Sequence, residues 1–135
     1  MIGTMLSQAA ILLTALLFGG MILYSFGFAS FLFSALPADA AGPLLRRAFP
    51  HFYVFVIGCA LAGAALTANV DGTSALILGL IAATALLARQ ILMPAINEAT
   101  DMGNRRRFGV LHTGSVLITL AHIAGSAAVI LRLSA

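Results

Sequence analysis

Five polar side chains stand together in the last apolar stretch of the chain: His112, Ser115, Thr119, His122 and Ser126. On a helix of 3.6 residues per turn, their spacing places them within an arc of about 80°. Val110, Leu117, Ile118 and Leu120 fall away from that arc. A polar face on an apolar helix turns toward a bundle interior or a water-filled cavity. It serves there as hydrogen-bonding glue between helices or as a site. Hydroxyls suffice for glue, whereas imidazole adds proton exchange near neutral pH and a nitrogen ligand for metals. One ion cannot take both histidines. Ten residues separate them by about 15 Å along a helix, and a metal holds its ligand nitrogens at about 2 Å.

Arg89, with Gln90 beside it, is the second chemical feature. It lies about 12 Å from Asn97 along the same helix, and a guanidinium at that depth either reaches out to the interface or finds a partner. Candidate partners are Glu98, Asp101, Tyr53, Asp39 and a backbone carbonyl of another helix. A third group, His51, Asn97, Glu98, Asp101, Arg46, Arg47 and His112, is expected at one mouth of the bundle. His51 and His112 open two helices at matching depth. As a pair they have the chemistry of axial haem ligands or of metal ligands, against the ordinary reading of a solvated interfacial histidine. Cys59 is alone, in an apolar run, and fits a small core residue. With Met21 it also has the softness to assist a soft metal.

Composition limits what these residues can belong to. Of 135 residues, 61% are hydrophobic and 8% charged, against about 25% charged in a soluble domain. The mean hydropathy is +1.09. The formal charge is +3, and every basic residue is an arginine placed mostly between apolar blocks. That placement fits topology and lipid headgroups rather than a nucleic-acid module. No GxSxG, Walker A, HExxH or dinucleotide motif is present, so an enzyme is not the expectation.

The elements that must carry these residues are transmembrane helices, because only helices and closed barrels satisfy their backbone in lipid and the apolar blocks exceed barrel-strand length. Spans of about 20 residues are expected at about 7–36, 51–68, 74–96 and 108–131. Between them lie the proline-rich segment from Pro37 to Pro50, the turn Asn69–Gly72 and the arginine run Arg105–Arg107. Residues 1–135 thus form a single all-α integral membrane domain, a four-helix bundle with antiparallel neighbours. Arg46, Arg47 and Arg105–Arg107 share one side, which the positive-inside rule makes cytoplasmic, leaving both termini outside the cytoplasm. The N-terminal span lacks the charged start of a signal peptide and reads as retained. Gly19, Gly20, Gly27 and the Gly58/Ala62 pair are candidates for close helix packing.

Several stretches carry a family resemblance: FSALPADAAGPLLRRAFPHFYVFVIGCA, ARQILMPAINEATD, RRRFGVLHTGSVLITL and GGMILYSFGFASFLF. Together they resemble the transmembrane protein 205-like family of small four-helix membrane proteins, whose bacterial members are grouped as a domain of unknown function. The resemblance singles out Pro37, Phe49, Pro50, Arg89, Pro94, Phe108, His112 and Ser115. It implies handling of a soft metal compound, since a member is associated with resistance to platinum drugs. The chain departs from the pattern at Thr113, Thr119 and the Gln90–Met93 stretch, and His122 lies outside it.

The functional expectation is binding or passage of a small ligand or metal species through a polar bundle interior, in the bilayer of an inner (cytoplasmic) membrane if the source is bacterial. His112, Arg89, Ser115, Thr119, His122 and Ser126 would line it, and a homo-oligomer would give it room. The alternatives are a b-type haem redox protein, with His112 and either His51 or His122 as axial ligands, and an accessory subunit of a larger membrane complex. No nucleic-acid partner is expected.

Overall fold

Long apolar runs must close their own backbone hydrogen bonds in lipid. The computed structural model, which describes residues 1–135, is accordingly helical almost throughout. Four helices follow one another: α1 (Ile2–Ala35), α2 (Ala38–Thr67), α3 (Gly72–Asp101) and α4 (Arg105–Ser134), each long and apolar enough to cross a membrane. A helix of 30 residues such as α2 measures about 45 Å. A hydrocarbon core is about 30 Å thick, so the helix is more than long enough to cross it.

The helices outrun the expected spans, chiefly at the prolines. α2 begins at Ala38 rather than near His51, and the segment expected as a loop from Pro37 to Pro50 is helical. Pro37 is the last residue outside, with φ −58° and ψ 151°. At that position a fixed φ suits the chain and the missing N–H has no bond to lose. Pro43 and Pro50 lie within α2, where each deprives the carbonyl four residues earlier of its donor. Packing outweighs that loss: Tyr24 stacks on Phe52 and meets Phe49 edge-on, and Phe52 meets Tyr53 edge-on. Such aromatic pairs contribute about 0.5–1.5 kcal/mol each beyond area burial.

α3 continues to Asp101, past the expected end near Ile96. A π-helical turn at Ala88–Leu92 precedes Pro94, and the Met93 N–H bonds the Ala88 carbonyl five residues back. The wider turn gives the Pro94 ring room that an ordinary α-turn denies it. A second π-helical stretch, Leu23–Phe28, interrupts α1. Between α3 and α4, Gly103 adopts φ 67°, a left-handed conformation that favours glycine. That turn lets the Asn104 N–H reach the Ala99 carbonyl at 2.9 Å. The Asn104 side chain in turn accepts the Arg107 N–H at 3.1 Å, capping α4. The cap starts α4 at Arg105, earlier than expected, and α1 likewise starts at Ile2.

α1 packs on α2 and α4, and α3 packs on α2 and α4. They share a core that includes Leu17, Met21, Phe52, Val56, Leu78, Ile81, Ala85 and Val129. Only 23 of 135 residues are buried, too few to hide this much apolar sequence. Leu12, Leu16, Leu76, Leu80, Leu87 and Leu117 face outward, a surface suited to lipid rather than water. Glycines set three seams. A Cβ on Gly20 would stand 2.7 Å from the Phe55 ring, one on Gly63 2.9 Å from Leu78, and one on Gly125 3.3 Å from Ile77 and Ile81. The Gly58/Ala62 pair is exposed, and nothing in the chain lies near Gly58, so the close approach of α2 uses Gly63 instead.

One end of the bundle is tied by Arg132. Its Nε donates to Asp71 Oδ2 and its Nη2 to Oδ1, both at 3.0 Å, while the Ser74 hydroxyl donates to Oδ2 at 2.6 Å. The Arg132 guanidinium, and after it the Ser74 hydroxyl, hold the Asp71 carboxyl well below the usual carboxylate range.

Two outcomes follow from this packing. Gly20→Val and Gly63→Val should each lower the unfolding free energy in detergent by about 1–3 kcal/mol through overpacking, and Gly58→Val should change it by about 0.5 kcal/mol or less. Equal losses at all three positions in circular dichroism melts would contradict the seams. For Asp71 the folded pKa is depressed, so its stabilisation is fully present above the unfolded value near 4 and fades as pH falls below it. Asp71→Asn should flatten the acid limb of a melting-temperature profile, and an unchanged limb would remove Asp71 as its cause.

Candidate functional site

The polar face of α4 divides in two. At its start, residues Arg105–Val110 are all exposed. His112 is exposed with them, and the Phe108 ring stacks on it at 5.3 Å with 7° between planes. Farther along, Thr119, His122 and Ser126 are buried. The hydroxyls mostly turn back on their own helix. Ser115 donates to the His112 carbonyl at 2.7 Å, Thr119 to Ser115 at 3.0 Å, and Ser126 to Ile123 at 2.9 Å. Such bonds are the ordinary local alternative for Ser and Thr in a helix.

His122 is the exception. It is 6% exposed, and its Nε2 lies 2.6 Å from the Thr84 hydroxyl of α3. Thr84 also approaches the Leu80 carbonyl at 2.7 Å. One hydroxyl proton serves only one of these contacts: a bond given to Leu80 goes with an Nε2–H tautomer of His122, and a bond given to Nε2 goes with an Nδ1–H tautomer. In either case Nδ1 makes no hydrogen bond to the protein and is the ring nitrogen left over.

Another polar atom belongs to the interior. Thr14 is 1% exposed and its Oγ1 has no hydrogen-bond partner. Thr14 shares the buried face of α1 with Ala10, Leu17 and Met21, and the last two belong to the central core. Neither Thr84 nor Thr14 was singled out by the sequence. A threonine in an apolar helix is common and usually bonds its own backbone, so only an interruption of a leucine and alanine run marked them.

Arg89 finds a backbone carbonyl rather than an acid. Its Nε donates to the Pro50 carbonyl at 3.3 Å, and its Nη1 to Gln90 Oε1 at 2.9 Å. Close by, the Tyr24 hydroxyl donates to the Ala48 carbonyl at 2.8 Å. α2 is thus held at Ala48 and at Pro50 itself by donors from both π-helical turns. Asp101, a candidate partner for Arg89, instead takes a two-pronged bond from Arg46, at 2.7 Å for each prong. That pair marks the expected mouth. His51 and Glu98 there are exposed, Asn97 is half-buried, and none of the three makes a side-chain hydrogen bond. Cys59 is half-buried against the core. Nowhere do three or more His, Cys, Asp or Glu side chains converge as a metal site.

The interhelical bond between His122 and Thr84 is open to a direct test. A double-mutant cycle of Thr84→Val and His122→Leu should return a coupling of about 0.6–1.7 kcal/mol, the range of hydrogen bonds between membrane helices. Additive effects would mean that the two side chains do not interact.

No curated protein and no solved structure matches the chain. A family model described as a domain of unknown function, DUF4149, matches residues 12–105. The matched span takes in Thr14, Tyr24, Pro50, Thr84, Arg89 and Asp101, and stops before His112, Ser115, Thr119, His122 and Ser126. It covers well over half of the 135 residues, and the chain therefore belongs to the DUF4149 family.

Proposed function

We propose that this is a multi-pass membrane protein whose polar bundle interior binds or passes a small ligand, with soft metal species as the class to test first. The observation that carries the reading is the buried His122 paired with Thr84. An ionisable side chain inside a membrane bundle is there for a function more often than for stability, and hydroxyl glue alone would not need an imidazole. Thr14, with its hydroxyl unpartnered in the same interior, supports it. So does Arg89, seated on a carbonyl of the neighbouring helix without an acid to neutralise it. The earlier resemblance to the transmembrane protein 205-like family, a finer kinship than the DUF4149 match, favours soft metals through the platinum association.

The arrangement that goes with this reading is an antiparallel bundle in an inner membrane, with Arg46, Arg47 and Arg105–Arg107 on the cytoplasmic side and both termini on the other. Contacts between α2 and α3 support it, pairing Arg46 with Asp101, Pro50 with Arg89 and Gly63 with Leu78. Residue numbers rise along one helix as they fall along the next. The same holds for Asp71 with Arg132 and Thr84 with His122. The core is filled by packed side chains, so passage would require the helices to part or several copies to assemble.

The test is complementation. A deletion strain should lose tolerance to copper or silver salts, the wild-type gene should restore it, and His122→Leu should fail to restore it while inserting at the wild-type level. A deletion strain as tolerant as its parent, or full rescue by His122→Leu, would overturn the proposal.

A further inference from the structure

The exposed first turn of α4 plays no part in the interior site, yet it is the most basic surface of the protein. Arg47, Arg105, Arg106 and Arg107 form no ion pair, because the structure's two ion pairs use Arg46 and Arg132. The unpaired acids at this end, Asp39 and Glu98, bond none of them. Two grooves flank the turn. One, of about 330 Å³, is lined by Asn104, Arg106, Arg107, Val110 and Leu111. The other, of about 240 Å³, is lined by Ala99, Thr100, Gly103, Asn104, Arg105 and Phe108. Each is lined by arginine together with apolar residues.

The backbone adds a donor. In this turn the Arg105 N–H bonds the Gly103 carbonyl, the Arg107 N–H the Asn104 side chain and the Phe108 N–H the Asn104 carbonyl. The Arg106 N–H is left over, at a helix N-terminus whose partial positive charge favours anions.

We propose that this turn is a binding site for an anionic phospholipid, with the headgroup phosphate on Arg106 and Arg107 and an acyl chain against Val110 and Leu111. Charge complementarity selects the phosphate, since guanidinium matches phosphate oxygens with paired donors. The apolar wall selects the lipid. Val110 is 67% exposed and lies about 6 Å farther along the helix than Arg106, where a free anion would leave it bare and an acyl chain would cover it. The occupant is therefore a lipid with net negative charge, held at both its headgroup and its tail.

The full chain, purified in a neutral detergent, is titrated with phosphatidylglycerol, phosphatidylcholine or inorganic phosphate. Binding is read by native mass spectrometry and by the shift in melting temperature. Phosphatidylglycerol alone should be retained and should raise the melting temperature. Arg106→Gln combined with Arg107→Gln should abolish both effects, while Arg47→Gln, outside the grooves, should preserve them. Val110→Asn keeps every arginine and should weaken retention severalfold, which keeps the test decisive if the double variant fails to insert. Equal retention of phosphatidylcholine, an equal shift with inorganic phosphate, or undiminished phosphatidylglycerol binding by Val110→Asn or by the double arginine variant would each overturn the site.

Discussion

A backbone N–H or C=O inside hydrocarbon has no water to turn to, and each one left unpaired costs several kcal/mol. That constraint makes the protein four helices, and it governs the places where the helices depart from regularity. Proline withdraws a donor and crowds the turn before it. In α3 the difficulty at Pro94 is met by a π-helical turn. In α2 the carbonyls that Pro43 and Pro50 deprive of a donor are those of Asp39 and Arg46, and beside them the Ala48 and Pro50 carbonyls take side-chain donors from Tyr24 and Arg89. Both donors sit on π-helical turns, Leu23–Phe28 and Ala88–Leu92, so irregularities of α1 and α3 are spent on the irregular part of α2. Arg89 gains from the same arrangement. It lies about one turn inward of the level of Arg46 and Arg47, judged by its contact with Pro50, and its partner is a dipole that needs no second buried charge.

Side-chain polarity in the interior obeys the same accounting. Most hydroxyls of α4 bond the carbonyl three or four residues back, which satisfies them without involving another helix. Imidazole cannot reach its own backbone in that way. His122 therefore needs a partner across the interface and finds Thr84. The result is a polar contact between α3 and α4 within an apolar core, with one nitrogen unspent. Thr14, on the buried face of α1, contributes an oxygen without a partner. The ends of the bundle, by contrast, are closed by exposed ion pairs, Arg46 with Asp101 and Arg132 with Asp71. Screened by water, such pairs serve register more than stability.

The number of helices, their apolar character and the polar face of α4 were legible in the sequence, because each depends on local composition or on a spacing along one helix. Bilayer thickness reads composition directly, and helical periodicity places His112, Ser115, Thr119, His122 and Ser126 on one side without reference to anything else. The helical state of Pro37–Pro50 was not legible. Proline's local preference argues against helix, and only packing such as that of Phe49 and Phe52 against Tyr24 outweighs it.

The tertiary structure alone decided how that face of α4 is used. It exposes His112 beside Phe108 and buries His122 against Thr84, although both histidines share one arc, because the first turns of α4 are exposed while Thr119, His122, Ser126 and Val129 farther along are buried in the bundle. It also gave Asp101 to Arg46 and the Pro50 carbonyl to Arg89, a choice among partners distant in the chain that no local spacing encodes. What a residue is, and which face of its own helix it occupies, follows from the sequence. Which neighbour it meets depends on how the helices are set against one another, and that is fixed by close contacts such as Gly63 on Leu78 and Gly125 on Ile81.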